Sequence, residues 1–411
     1  MGLRRDLEID LYAMNVGALH ILDTDFDSRQ AQRRRQSLEP RLVESDIDEG
    51  AEEHVASDAT GGIEDRNFHL FGVSKRNWRL SFEARRTSGP TQGKRGIELA
   101  PASRMVSRYD VAIVGGGPAG LSAAIWLARY LHKVVVVDSG DPRNWETRAI
   151  NGYLGHPGIR SPELRAVGRE EGAKYGVEYV GGIVDEAINE TGELFAIRLR
   201  DGTLMEAHRI LLAIGIRDVW PDIPGLERCY GETIHVCPDC DGYETRDKKT
   251  VVVGKGRKAV GMALALTTWT RQIVICTHGE EPDMDEKLLG QLKALNIPVL
   301  DQPIRCVVSK SSEIAGIELE GGMSLDCERL YFAIGQYPAD DLGAQLGCKR
   351  DEMGRLVIDE RNHTSVKNVY AAGDIAPGPQ MAIAAAASGA IASVAIHASL
   401  IPETRKLAPT T

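Results

Sequence analysis

Cys237 and Cys240, in the run Cys237-Pro238-Asp239-Cys240-Asp241-Gly242, are the side chains whose type and spacing speak most directly to chemistry. Two thiols at that separation close a reversible disulfide without long-range folding. One attacks a partner disulfide as a thiolate, and the other stands near enough to resolve the mixed disulfide. Pro238 fixes a backbone angle between them, and Asp241 offers a carboxylate to carry the proton. A zinc-ligand pair is the competing reading. Structural zinc takes four ligands, whereas only His235 stands nearby and there is no second CxxC. A purely structural disulfide fits a reducing compartment poorly. Cys229, Cys276, Cys306, Cys327 and Cys348 are scattered singly, and Cys276 in an apolar run reads as a small core residue.

The dithiol lies between two glycine-rich turns, each preceded by β-branched residues. In the first, Gly115-Gly116-Gly117-Pro118-Ala119-Gly120 follows Val111-Ala112-Ile113-Val114. Gly115 permits the tight turn, Gly117 lets the backbone approach a pyrophosphate, and Gly120 allows close helix–strand packing. The helix beginning at Pro118 presents free N–H groups and positive dipole to phosphates. Asp138, 23 residues after Gly115 at the end of the next strand, is placed to accept from ribose hydroxyls. The second turn, Gly254-Lys255-Gly256-Arg257-Lys258-Ala259, keeps the GxGxxA pattern with Gly254, Gly256 and Ala259, so a dinucleotide is expected there as well.

The elements that must hold these residues read as α/β, with two Rossmann-like nucleotide-binding domains. The first unit runs strand, turn, a helix over 118–131 and a strand over 134–137. The second repeats that order with a strand at 251–253, a helix over 257–270 and a strand at 273–275. Between them stand a helix over 162–175 and a three-stranded meander over 180–208, with turns at Glu190-Thr191-Gly192 and Asp201-Gly202. Strands at 330–335 and 369–374 read as returning to the first domain. The expected division is 1–104 as a disordered or dispensable extension, 105–222 and 327–403 as one domain, 223–326 as a domain inserted into it, and 404–411 as a tail. Residues 1–104 lack any sustained period and are rich in charge, Ser and Gly, a composition too poor in apolar surface to offset chain entropy. Either Met105 is the natural start or the first hundred residues are a dispensable tail.

Asp110-Val111-Ala112-Ile113-Val114 with its glycine turn, then Ala213-Ile214-Gly215, then Ala371-Ala372-Gly373-Asp374, resembles the FAD domain of low-molecular-weight thioredoxin reductases. The resemblance spans roughly residues 108–402 and several ordered motifs. It implies FAD on the first turn with Pro118, Ala119 and Gly215 around it, and Gly373 and Asp374 against its diphosphate and ribityl chain. It also implies Gln380, Met381 and Ala382 at the flavin edge, with Pro379 where the family has Arg. Asn144, Asn151 and Gly155 would lie in a loop over the flavin. Cys237 would attack the partner disulfide, Cys240 would face the flavin and Asp241 would donate the proton. The partner would be a thioredoxin-like protein or a small disulfide, and the molecule a homodimer. In the family the inserted domain rotates, and a hinge is expected at Gly215 and 221–225 on one side and 323–328 on the other.

Three departures concern the electron donor. The position matching Asp138 in the second unit is Thr277, Cys276-Thr277-His278-Gly279 replaces the family's Arg-rich grip on a 2′-phosphate, and Gly261-Met262 replaces a Glu pair. Lys255, Arg257 and Lys258 either bind phosphate or form a solvated basic face. NADPH, NADH and a reduced ferredoxin all stay open, as do a small-dithiol oxidoreductase, a flavin oxidase that merely carries two thiols, and a flavin- or zinc-binding regulatory module.

Composition excludes other classes. The chain has 411 residues, 43% apolar and 26% charged, an ordinary globular balance. A net charge of −10 opposes nucleic acid, whose phosphates need clustered Lys and Arg. No secretory leader develops after Met1, because Asp6, Glu8 and Asp10 follow at once. The Ala-rich tract 381–401 reads as a tightly packed helix rather than a membrane span. The expected compartment is the cytoplasm.

Overall fold

The computed structural model describes residues 106–143 and 146–407. The extension over 1–104, Met105 and Asn144 lie outside the described residues.

The first sheet is built from β1 (Ser107–Val114), β2 (Val134–Asp138), β3 (Glu178–Gly181), β4 (Val184–Asn189), β5 (Phe195–Leu199) and β6 (Leu204–Leu212), with helices α1 (Pro118–Arg129) and α2 (Ser161–Lys174) in the crossovers. Its order is β3-β2-β1-β6-β5-β4. β1 pairs parallel with β2 and β6, whereas β4, β5 and the start of β6 form the expected antiparallel meander. The strands alternate between two buried faces. Val111, Ile113, Val134 and Val136 pack on the α1 side, and Ala112, Val135 and Val137 pack on the other with Ile210 and Leu212.

The chain then crosses at β7 (Ile216–Asp218) into a second sheet, with β8 (Ile234–His235), α3 (Pro238–Asp241), β9 (Thr250–Val253), α4 (Gly256–Leu266), β10 (Ile273–Cys276), α5 (Glu286–Ala294) and β11 (Val299–Leu300). A three-stranded antiparallel sheet of β12 (Ile304–Lys310), β13 (Glu313–Leu319) and β14 (Ser324–Asp326) follows, and then β15 (Arg329–Phe332). β15 pairs parallel with β9 and β8 inside the second sheet, whose order is β11-β10-β9-β15-β8. This corrects the reading of 330–335 as a strand of the first domain, and with it the boundary at 326/327. A buried apolar run looks the same in either sheet.

The return crossing is β16 (Gln336–Pro338), which pairs antiparallel with β7 through Gln336–Asp218, Tyr337–Arg217 and Pro338–Ile216. Outward and return strands therefore form one ribbon. The hinge expected at 323–328 is corrected: β14 belongs inside the inserted domain, hydrogen-bonded to β13. After α6 (Leu342–Gln345) and β17 (Val369–Ala371), which adds to β6, the chain ends in α7 (Ala382–Leu400) and a short turn. α7 is long and apolar enough to cross a membrane by length and composition. Here Ala385, Gly389, Ala392 and Ile396 are buried, and Gly389 lies so close to Ala119 of α1 that a Cβ would overlap its carbonyl.

Candidate active site

The strands of the first sheet end at a turn built for a phosphate. Gly115 has a φ of +108°, and a side chain there or at Gly120 would overlap backbone carbonyl oxygens. Around a Cβ placed on Gly117 there is no atom within 4 Å. The first turn of α1 contains no acidic residue. Room, a helix N-terminus and no opposing charge together fit the diphosphate of FAD.

Asp138 sits where expected, but its surroundings correct the simple picture of a carboxylate waiting for ribose. Arg165 and Arg169 of α2 both bind its Oδ2, and Arg165 Nε also donates to the Gly116 carbonyl at 3.1 Å. Both arginines meet Oδ2, so Oδ1 would be the oxygen to face a ribose hydroxyl. The arginines fix the carboxylate and tie α2 to the turn.

At the other end of this cradle stands a polar network that the sequence did not reveal. Arg143 donates through Nε and NH2 to Asp218 at 2.6 and 2.7 Å, and through NH1 to Asp374 at 3.1 Å and Gln380 at 3.0 Å. Gln336 Nε2 donates to Asp218 and to Gln380, each at 3.0 Å. Burial opposes the Arg143 charge, yet Asp218 and Asp374 more than offset it and hold the guanidinium more basic than usual. Burial raises the Asp374 carboxyl, with Arg143 opposing the rise. Asp374 and Gln380 are thus held side by side, followed by Met381 and Ala382 at the head of α7, with Gly373 donating its N–H to Ser388 Oγ at 3.3 Å. Gly215 begins the crossing ribbon with a φ of +70°. Removing Arg143 strands two sheltered carboxylates. Arg143→Met will lower stability by about 3–5 kcal/mol, read as a fall in the urea midpoint, and an unchanged midpoint would contradict the network's role.

The dithiol lies at α3. Cys237 precedes the helix, Pro238 occupies its first position and Cys240 lies one turn on. The neighbouring Cys240 lowers the Cys237 thiol against the opposing effect of burial, while Cys237 and burial together push Cys240 up. The two thiols are thus shifted in opposite directions, and Cys237 is the readier of the two to lose its proton. Asn151 Nδ2 donates to the Cys240 carbonyl at 3.2 Å. The loop assigned to the flavin thus touches the helix that carries the thiols.

Burial pushes the Asp241 carboxyl up to about 7, with Glu244 adding and Arg329 opposing. Its Oδ2 lies 3.4 Å from His235 Nδ1. Burial, then Arg329, presses His235 down to about 3, so the imidazole is neutral and the contact is not an ion pair at neutral pH. Trp269 packs on Gly242, where a Cβ would come within 2.5 Å of its ring, which explains the glycine after Asp241.

The second turn differs. Its Gly254, Gly256 and Ala259 keep the strand–turn–helix form, but Gly256 N–H donates to the Pro282 carbonyl at 2.8 Å. The Pro282 carbonyl therefore lies directly against the turn where a dinucleotide is expected.

Residues 109–389 match the model of the pyridine nucleotide-disulphide oxidoreductase family. The chain is 27% identical over 328 residues to a probable thioredoxin reductase of Arthroderma benhamiae, covering 72% of this chain and 81% of that protein. It is 27% identical over 317 residues to an alkyl hydroperoxide reductase component of Pseudomonas putida, covering 74% of this chain but only 61% of that longer protein. A putative thioredoxin reductase structure from Bacillus anthracis superposes with a TM-score of 0.67 at 30% identity, over 71% of this chain and 98% of the other. Members of the family use FAD and a nicotinamide nucleotide. With its glycine cradle, paired thiols and two sheets with parallel cores, the chain belongs to the pyridine nucleotide-disulphide oxidoreductase family.

Proposed function

We propose that this enzyme reduces the disulfide of a thioredoxin-like protein through Cys237 and Cys240. The observation that carries the reading is the placement of the pair: Cys237 precedes α3, Cys240 lies one turn on with its carbonyl bonded to Asn151, and the Asp241 carboxyl, pushed up to about 7 by burial, follows directly.

Cys237 thiolate attacks one substrate sulfur, a new S–S bond forms, and the substrate's own S–S bond breaks to release a thiolate that takes a proton. Cys240 then gives its proton to Asp241 and attacks Cys237 Sγ. The second substrate thiolate leaves, and the enzyme holds a Cys237–Cys240 disulfide. Two electrons have moved from the pair to the substrate. FAD, when bound, supplies the electrons that restore the dithiol. Exposed Asp239, Tyr243 and Arg246 ring the pair, with Arg246 over the Tyr243 ring at 5.2 Å. Tyr and Arg are the residue types that anchor protein partners. A cytoplasmic homodimer is part of the proposal, on the resemblance alone.

Anaerobic titration of the flavoprotein with dithionite tests it. Electron uptake beyond that of the flavin, with Cys237 and Cys240 becoming open to alkylation, is expected. Oxidised thioredoxin and a small cyclic disulfide are then offered separately to the reduced enzyme. Reoxidation by thioredoxin at micromolar concentration supports the proposal, whereas reoxidation by the cyclic disulfide alone replaces the substrate class. Flavin bleaching without any change in thiols would leave the pair out of the reaction.

A further inference from the structure

The two glycine turns share a sequence pattern but not an environment. The space beside Gly117 is open. Beside Gly256 the chain has folded residues 277–285 into the corresponding space. This segment leaves β10 as Thr277-His278-Gly279-Glu280-Glu281-Pro282-Asp283-Met284-Asp285.

Bonds hold it at both ends. Thr277 Oγ1 donates to the Glu280 carbonyl at 2.6 Å, and Gly279 N–H to the Asp301 carbonyl at 2.8 Å. His278 Nδ1 accepts from the Ile304 N–H at 2.9 Å, and Asp285 caps α5 by accepting from Leu288 N–H at 2.8 Å. Between these anchors the segment meets the turn directly. The Pro282 carbonyl takes the Gly256 N–H at 2.8 Å, and a Cβ on Gly256 would stand 3.1 Å from Asp283 Oδ2. The physical logic of such a turn is a bare glycine whose backbone approaches phosphate oxygens. Here a carbonyl has the donor and a carboxylate has the space.

Charge works the same way. Lys255 is paired with Glu280, which lies below the ordinary carboxylate range because of that bond, and Asp283 adds to the negative field on Lys255. Lys258 Nζ donates to the Ile334 carbonyl at 3.3 Å. Arg257 forms no ion pair with any described residue, against Glu280, Glu281, Asp283 and Asp285 on the facing segment. A pyrophosphate entering would displace a backbone hydrogen bond, part Lys255 from Glu280 and sit against Asp283.

We infer that residues 280–285 form an acidic plug in the pyrophosphate seat of the second turn, which excludes NADPH and NADH from it. The inference rests on the flavin-dithiol reading only in limiting that enzyme's electron donor to a class other than nicotinamide nucleotides at this site.

Binding of NADPH and of NADH to the oxidised, FAD-loaded full chain, by equilibrium dialysis, tests it without turnover. The wild type is expected to show no saturable binding below millimolar concentration. The triple variant Glu280→Ala, Glu281→Ala, Asp283→Gly frees Lys255 and removes the carboxylate beside Gly256, with Pro282 kept in place. It is expected to bind at least one of the two nucleotides at least about ten-fold more tightly than the wild type, since a like-charge juxtaposition has been removed. Asp283→Asn, which keeps shape and loses charge, should gain part of that. Micromolar binding by the wild type overturns the plug. So does a triple variant that keeps its flavin and circular dichroism yet binds no better. Dithionite titration of the same preparations keeps the two claims apart: if the thiols respond while the wild type binds nucleotide, only the plug falls.

Discussion

Cys240→Ser will stop the enzyme as a covalent adduct. Cys237 retains its nucleophile, so it still attacks a disulfide and still expels a thiolate. With no resolving thiol, the mixed disulfide persists. Ellman's reagent reports this directly, because one coloured thiolate is released on attack and the second appears only on resolution. Cys240→Ser should release the first and retain the second as an adduct visible by mass spectrometry at Cys237. Cys237→Ser should form no adduct at comparable speed, since burial raises the Cys240 thiol and so disfavours its thiolate. Disulfide turnover falls in both by on the order of 10⁴-fold or more, the scale reached when a covalent nucleophile is removed. Equal adduct formation in the two variants would reverse the assignment of roles.

Asp241→Asn will remove the proton carrier while keeping the shape of the site. Positioned general acids and bases contribute about 10²–10⁴-fold, so a loss of that size in the resolving step is expected. The pH profile supplies a second reading. Burial raises the Asp241 carboxyl to about 7; above that pH it is ionised and accepts the Cys240 proton, and below it is already protonated and cannot. Resolution should therefore slow as pH falls through about 7, and Asp241→Asn should abolish that inflection. A variant with wild-type rate and an unchanged inflection would move the proton elsewhere, with neutral His235 as the adjacent group.

The first cradle was legible in the sequence because its glycines, strand, helix and terminal acid are local and close together. The CxxC pair was legible for the same reason. Arg143 was not, because its partners Asp218, Asp374 and Gln380 are separated from it by up to 237 positions. Nothing in the local pattern marks an arginine that only folding brings into a carboxylate pair. The arginines on Asp138 escaped likewise, although Arg165 and Arg169 lie four apart on one face of α2, a spacing that places them together. β15 was misplaced because Leu330-Tyr331-Phe332 is apolar and would suit either parallel sheet. At the second turn the sequence showed Thr277 where an acid was sought, but not that Pro282 offers its carbonyl to Gly256. That contact is backbone to backbone and has no residue signature.

The ribbon formed by β7 and β16 sets a lever for the whole molecule. Both covalent links between the two halves run side by side, and Asp218 and Gln336 stitch them to Arg143 and Gln380. A swing of the inserted half about that line displaces nearby atoms little and distant ones far. Small torsions at the fulcrum would carry the sulfur-bearing helix through a wide arc, while Arg143 and its partners stay almost still.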